Sequence, residues 1–189
     1  MSARPSESAP FVVWFTGLSG AGKSTLALRV EAELRARGLP AFHLDGDELR
    51  QGLNRDLGYD DDARVESIRR IAEVTRILYR AGHVVLVAAI SPFAAGRDEA
   101  RRLIAPGPFV EVFVDAPLAV AEQRDPKGLY QRARAGQIAH FTGIDAPYEA
   151  PEHPEVRVDT AQLGPAEAAA VVVAHLVARG LTTARTTLS

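Results

Sequence analysis

Cysteine is absent from the 189-residue chain, so disulfides, thiolate metal sites and cysteine nucleophiles are excluded, and cysteine usage says nothing of the redox compartment. Charge of one sign is not in excess either. The formal net charge is -2 and the pI near 6.2, which leaves no global field to recruit nucleic acid or an anionic membrane, and neither is expected as a partner. No run approaches the roughly eighteen consecutive apolar residues of a membrane-crossing helix, and the opening MSARPSESAP lacks the apolar core of a signal peptide. A cytoplasmic protein is expected. Lysine is the last shortage: of 22 basic residues all but Lys23 and Lys127 are arginine. A compact ammonium and a planar guanidinium are not equivalent at a phosphate, so both lysines are marked before any motif is invoked. For Lys127, a surface charge retained by chance is the plainer alternative.

What is present points to one well-buried unit. At 47% hydrophobic and 24% charged content, this length suits a single domain, expected over 11–180 between a disordered tail at 1–10 and a C-terminal tail at 181–189. No internal repeat is visible. Phe11-Val12-Val13-Trp14-Phe15 is a continuous apolar run, the pattern of a strand covered on both faces. Directly after it stands Gly17-Leu18-Ser19-Gly20-Ala21-Gly22-Lys23-Ser24-Thr25, of the form G-x-x-x-x-G-K-S, opening an amphipathic segment. Its glycines let successive N–H groups curl into one concavity, which suits phosphate. The helix start adds its positive dipole end, Lys23 can reach the outer phosphates of a nucleotide, and the Ser24 hydroxyl can ligate Mg²⁺. The bland alternative, a glycine-rich strand-to-helix turn, matches fewer of these positions.

Helical spacing of Leu26, Ala27, Val30 and Leu34 predicts a helix over 24–37, ended by Gly38. A second strand over 39–44 runs into Asp45-Gly46-Asp47, placing two carboxylates at a strand's carboxyl end. A polar connection with one short helix over 48–53 leads to a long amphipathic helix over 63–81, then a buried strand over 84–90 that ends in Ser91-Pro92. A helix over 96–104, a strand over 109–114 before Asp115, and a short helix over 118–123 follow. From 124 to 154 the sequence turns charged and rich in glycine and proline, with helix surviving over 129–135. A connection this long is usually functional, and a lid is the assignment. A fifth strand over 156–159 and a closing helix over 165–179 complete the chain. The fold class is α/β, a doubly wound five-stranded parallel sheet with helices on both faces, with ligands gathered at the carboxyl ends of the strands.

A phosphate loop alone serves small-molecule kinases, switch GTPases and motor ATPases. Neither lysine follows an asparagine, so the N-K-x-D guanine element of switch proteins is missing. The chain is short for a mechanical ATPase, although Asp115 imitates a metal-holding carboxylate at a strand end. A kinase requires a nucleotide site, an acceptor site facing the γ-phosphate, cations for the transferring group and a cover against water. Asp45 and Asp47 are candidates to meet an acceptor hydroxyl and a metal-bound water; an Asp-Gly turn capping a helix is the structural alternative. Arg50, Arg64, Arg69 and Arg70 offer guanidinium for a second anion, with Arg69 and Arg70 reading first as solvated charges. Arg124 and Lys127 add cations from the lid.

The blocks L-D-G-D-x-x-R-x-G-L-N (44–54), Asp62-Ala63-Arg64-Val65-Glu66, I-S-P-F (90–93), R-D-P-K-G-L-Y (124–130) and F-T-G-I-D-x-P-Y-E-x-P (141–151) resemble adenylylsulfate kinase, a P-loop kinase, co-linearly from about residue 11 to 160. The resemblance implies transfer of the γ-phosphate of ATP to the 3′-hydroxyl of adenosine 5′-phosphosulfate, with Mg²⁺, in sulfate activation. It implies Asp45 as base or hydroxyl-orienting group, Asp47 near the metal and Lys23 on the migrating phosphoryl. Arg50 and Arg64 would meet the phosphosulfate, Tyr59 and Phe141 would sandwich the adenine, and Ser67, Ile90 and Lys127 would touch substrate while Arg124 touches ATP. Ser91 is the position the family designates a phosphorylated intermediate; direct in-line transfer needs no such acceptor, and a hydroxyl contact to substrate is the milder reading. Two departures stand out: Ser67 where the family often has asparagine, and Val87-Ala88-Ala89 where a Ser-Phe pair is common. A homodimer and a functional link to ATP sulfurylase are further implications.

Overall fold

The computed structural model describes residues 9–182; the tails expected at 1–10 and 181–189 lie almost wholly outside them. The elements alternate in chain order: β1 (Val12–Thr16), α1 (Lys23–Ala36), β2 (Ala41–Asp45), α2 (Gly46–Gln51), α3 (Asp61–Arg80), β3 (Val84–Ala88), α4 (Ala94–Ile104), β4 (Phe109–Asp115), α5 (Leu118–Arg124), α6 (Leu129–Arg134), β5 (Val156–Asp159) and α7 (Pro165–Ala178). The five strands form one sheet in the order β2-β3-β1-β4-β5, every neighbouring pair parallel.

The apolar run of β1 is fully buried because the strand is central and covered on both faces. Its side chains alternate between two cores, as period-2 geometry requires. Phe11, Val13 and Phe15 join Leu26, Val30 and Leu34 of α1 and Val172 and Leu176 of α7. Val12 and Trp14 join Ile68 and Ile71 of α3 and Ala100 and Ile104 of α4. Each fully buried side chain of this kind is worth about 1.5–3 kcal/mol relative to exposure. A third, smaller cluster of Ala121, Tyr130, Ala133 and Phe141 lies under the long connection before β5, with Leu18 packed against it.

Caps set several boundaries that periodicity places a residue or two away. Asp60 accepts from the Ala63 N–H at 2.9 Å, so α3 begins at Asp61 rather than at 63. Asp45 accepts from the Asp47 N–H at 2.8 Å and starts α2 at Gly46 rather than 48. Strand β3 stops at Ala88, not 90, because Ile90 and Ser91 leave the sheet; Ser91 has φ +42°. Parallel strands put the ends of β1, β2 and β3 at one edge, and the phosphate loop, Asp45 and Ser91 meet there.

Candidate active site

Between β1 and α1 the chain folds where two glycines are sterically required. A Cβ on Gly17, at φ +150°, would stand 2.4 Å from the Val114 carbonyl oxygen, and one on Gly20, at φ +73°, 2.7 Å from that of Ala121. The loop is therefore pressed against β4 and α5. Tyr130 ties it from the other side, its hydroxyl donating to the Ser19 carbonyl at 2.9 Å. Beyond the loop opens a cleft of about 1430 Å³ lined by Ser19 to Leu26, Asp45, Asp47, Arg50, Tyr59, Arg64, Ser67, Ile90, Ser91, Arg124, Lys127 and Phe141, among others. Gly17 and Leu18 do not line it: Gly17 faces β4, and the Leu18 side chain is packed against the third cluster.

At the base of the cleft Lys23 donates to the Leu18 carbonyl at 2.8 Å. Burial lowers its pKa to about 8, against the opposing pull of Asp47 and Asp45. The Ser24 hydroxyl donates to Asp45 Oδ2 at 2.5 Å. Burial works to raise the Asp45 pKa, but the Ser24 hydroxyl and the Asp47 and Glu48 N–H groups outweigh it, so the carboxyl lies below its ordinary value. Asp45 is thus an ionised acceptor at neutral pH, suited to orienting a hydroxyl. Asp47 is more exposed and forms an ion pair with Lys127, which reaches across from the 125–154 connection.

The guanidinium groups divide cleanly. Arg50 donates to the Leu57 and Gly58 carbonyls at 3.2 and 2.6 Å and lies 4.7 Å over the Tyr59 ring. Arg64, buried, donates to the Tyr59 carbonyl at 2.8 Å and to that of His140. Burial, with Arg50 adding to it, lowers the Arg64 pKa. Each keeps N–H donors beyond these contacts. Arg69 and Arg70 instead pair with Glu66 and Asp56 on the outer side of α3, as ordinary surface charges. Asp115 is likewise spent on Arg157 at 2.6 Å, which removes it as a metal-holding carboxylate.

Arg124 donates to the Thr160 carbonyl at 2.5 Å and to its hydroxyl at 3.2 Å, and that hydroxyl donates to the Ala21 carbonyl at 2.9 Å. Phe141 packs edge-on against Tyr130 at 4.9 Å, while Tyr59, which also lines the cleft, is 57% exposed. Ser67 is buried and accepts from Asn54 Nδ2 at 2.9 Å; Asn54 is itself fully buried with its Oδ1 unpartnered. Ser91 is 1% exposed, accepts from the Trp14 indole N–H at 3.1 Å and donates weakly to the Ala89 carbonyl at 3.4 Å, with no side chain placed to take its proton. Its positive φ costs about 1–3 kcal/mol in a non-glycine residue and has to be held by these neighbours.

Sequence reasoning missed several members. Thr160, Leu163, Gly164, Pro165 and Ala168 line the end of the cleft nearest α7, and they lie in ordinary-looking sequence at the β5–α7 turn. Asn54, Trp14 and Thr16 act from behind the lining. Of these, Asn54 stood at the end of the block 44–54, but only the fold shows that it is buried against Ser67.

A five-stranded parallel sheet of this order, a phosphate loop at the end of its central strand and an acidic pair across from it define a nucleotide-dependent kinase of the P-loop type. The family model for adenylylsulphate kinase matches residues 9–159. An adenylyl-sulfate kinase of Marinobacter nauticus is 54% identical over 172 residues, covering 91% of this chain and 86% of that one. One of Burkholderia ambifaria is 57% identical, covering 88% and 92%. The APS kinase CysC of Mycobacterium tuberculosis, solved in complex with AMPPNP and APS, superposes with TM-score 0.86 at 49% identity over 89% of this chain and 98% of that one. The chain belongs to the adenylylsulphate kinase family.

Proposed function

We propose that this cleft transfers the γ-phosphate of ATP to the 3′-hydroxyl of adenosine 5′-phosphosulfate (adenylylsulfate), giving 3′-phosphoadenosine 5′-phosphosulfate and ADP in sulfate activation. The observation that carries the reading is the placement of Asp45, ionised and hydrogen-bonded to Ser24, beside the loop that bears Lys23. The amides of 19–25 and the Lys23 ammonium hold the triphosphate, and Arg124 with the β5–α7 turn borders the base of ATP. Asp45 accepts the acceptor hydroxyl's hydrogen bond and aims its oxygen at the γ-phosphorus. A low carboxylate pKa suits this role, since in a loose transition state the hydroxyl proton leaves late and orientation counts for more than basicity.

Across the cleft, Arg50 and Arg64 meet the phosphosulfate, and Tyr59 and Phe141 enclose the adenine, with Ser67, Ile90 and Ser91 along the wall between. Lys127 gives up Asp47 for substrate phosphate when both ligands are bound. The 124–154 connection acts as the lid, excluding water from the transfer. Mg²⁺ fits the donors present: the Ser24 hydroxyl and the nearby Asp45 and Asp47 are all hard oxygen ligands, and this metal completes its shell with water and substrate phosphate. When bound it supplies charge neutralisation of the transferring phosphoryl group.

Ser91 acts as a wall contact and not as a phosphoryl acceptor, which its burial and lack of a base support. A homodimer in the cytoplasm is the form we infer. Among the described residues no helix is long and apolar enough to cross a membrane. A relative from Thiobacillus denitrificans is described as hexameric. The bifunctional CysN/CysC of Xylella fastidiosa carries a segment 55% identical to this chain within 29% of its own length, which supports a functional link to ATP sulfurylase.

The test is coupled ADP release with adenylylsulfate, adenylate and gluconate offered separately. Turnover with adenylylsulfate alone is expected; turnover of another acceptor, or binding without turnover, overturns the reading.

A further inference from the structure

We propose that Arg97 is a positioning residue that fastens the exit of the 124–154 connection to the Ile90–Ser91 loop, so that covering the cleft and placing the acceptor are one event. The proposal rests on the reading of that connection as a lid. Arg97 lies in the first turn of α4 and is 3% exposed. Its guanidinium reaches three separate segments: Nε donates to Glu111 Oε1 on β4 at 2.7 Å, Nη1 to the Ser91 carbonyl at 2.7 Å, and Nη2 to the Glu149 carbonyl at 2.8 Å.

Two of these partners are backbone carbonyls, that of Ser91 in the cleft wall and that of Glu149 in the last residues of the connection. Ser91 lines it, in a conformation that a serine does not adopt unaided, and its carbonyl is fixed by Arg97 while its hydroxyl is fixed by Trp14. Glu149 ends the connection. Further bonds sew the same two segments together: the Glu149 N–H donates to the Pro92 carbonyl at 2.8 Å, and the Ala94 N–H donates to Glu149 Oε2 at 2.7 Å. Tyr148 OH and Thr16 Oγ1 are 3.0 Å apart, and that threonine donates to the Ile90 carbonyl at 2.7 Å. Thr16 also ends β1, immediately before the phosphate loop. The exit segment, the Ile90–Ser91 loop and the strand that carries the phosphate loop are therefore joined around the buried Arg97 guanidinium and Thr16.

Burying a guanidinium for stability alone is a poor bargain, since desolvation offsets much of the attraction and an apolar side chain fills the same space as well. What an apolar side chain cannot do is hold two carbonyls and a carboxylate in one plane, and lysine cannot either, because its three donors have no fixed fork. The Glu111 carboxylate neutralises the charge, and its own surroundings are set by Arg101 at 3.6 Å. The fork geometry is the part that the neighbouring segments use.

The experiment compares the wild-type protein with R97K, with R97M/E111L, which removes the buried pair together so that no carboxylate is left unpaired, and with Tyr148→Phe, which cuts the Thr16 link and leaves the pair intact. KM for ATP, KM for adenylylsulfate, kcat, and ADP release with ATP and water alone are read for each. We expect the double variant to hold KM for ATP within about twofold, to raise KM for adenylylsulfate about tenfold, and to raise water-driven ADP release relative to transfer. R97K and Tyr148→Phe move the same two quantities by about two- to fivefold. A folded double variant with wild-type acceptor KM and unchanged water-driven release overturns the proposal, and should the double variant not fold, unchanged values in R97K and Tyr148→Phe do so. The water-driven rate itself needs no acceptor, so a wild-type protein inert toward adenylylsulfate would defeat the functional reading alone; the variants are then compared by that rate, a rise supporting the proposal and an unchanged rate overturning it.

Discussion

The Ser24 hydroxyl and the Asp45 carboxylate, which begin α1 and end β2 respectively, meet at 2.5 Å. The bond joins the start of α1, next to the glycine-rich loop, to the carboxyl end of β2 across the cleft. On the proposed reading of Ser24 as a metal ligand, metal and Asp45 compete for, or share, the same serine.

Asp45→Asn is expected to lower kcat by about two orders of magnitude or more while ATP still binds. The amide keeps the shape and can still cap α2, so the loss isolates the charge that orients the hydroxyl. Equilibrium binding of ATP beside steady-state rates checks it, and near-normal turnover would remove Asp45 from the mechanism.

Lys23 gives a pH signature. Its folded pKa of about 8 means the ammonium is present at neutral pH and is lost as pH rises through 8, unless phosphate holds the proton. ATP binding therefore takes up protons above that pH, and ATP affinity should weaken from about pH 8 upward. For the free protein the sign is the reverse. A lysine that titrates at 10.5 when unfolded and about 8 when folded disfavours folding while both states are protonated, so this contribution relaxes as pH rises between those values. Calorimetric titration of ATP in two buffers of different ionisation enthalpy reads the proton uptake, and a pH-independent affinity from 7 to 9.5 would count against it.

Ser91→Ala is expected to retain activity within about tenfold, because the hydroxyl is a buried partner of Trp14 with no base beside it. Complete loss of turnover with unaltered substrate binding would contradict that, as would a phosphorylated Ser91 recovered from turnover.

Lys127→Ala is expected to raise KM for adenylylsulfate more than KM for ATP. Its ion pair with Asp47 is exposed on both sides and adds little to stability, about 0–1 kcal/mol at most, so the melting temperature should hardly move. Thermal denaturation beside the two KM values separates the roles.

The alternation of elements and the phosphate loop were legible because they depend on local rules: continuous apolar runs for strands covered twice, 3.6-residue spacing for helices, and glycines where the backbone approaches β4. Asp45, Asp47 and Lys127 could be nominated one by one, but their pairing depends on where the strands end in the sheet. Arg97 looked like one more arginine among twenty on a charged helix. Only the fold reveals that it points inward, since its partners are 14 and 52 residues away in Glu111 and Glu149. Arg69 and Arg70, neighbours of Arg64 in sequence, read first as solvated charges and stand so in the fold, paired with Glu66 and Asp56. Thr160 and Leu163 carry no chemical signature and enter the cleft only because β5 lies beside β4.

The strand order has a consequence for how the cleft is built. With β1 in the middle, β2 and β3 to one side and β4 and β5 to the other, residues 41–104 build one flank and 109–168 most of the opposite one, the phosphate loop stands between them, and Lys127 and Phe141 reach the same cleft from the second flank. The cleft wall is therefore drawn from both stretches of gene and belongs to neither alone, a coupling that arises from topology and not from any domain boundary.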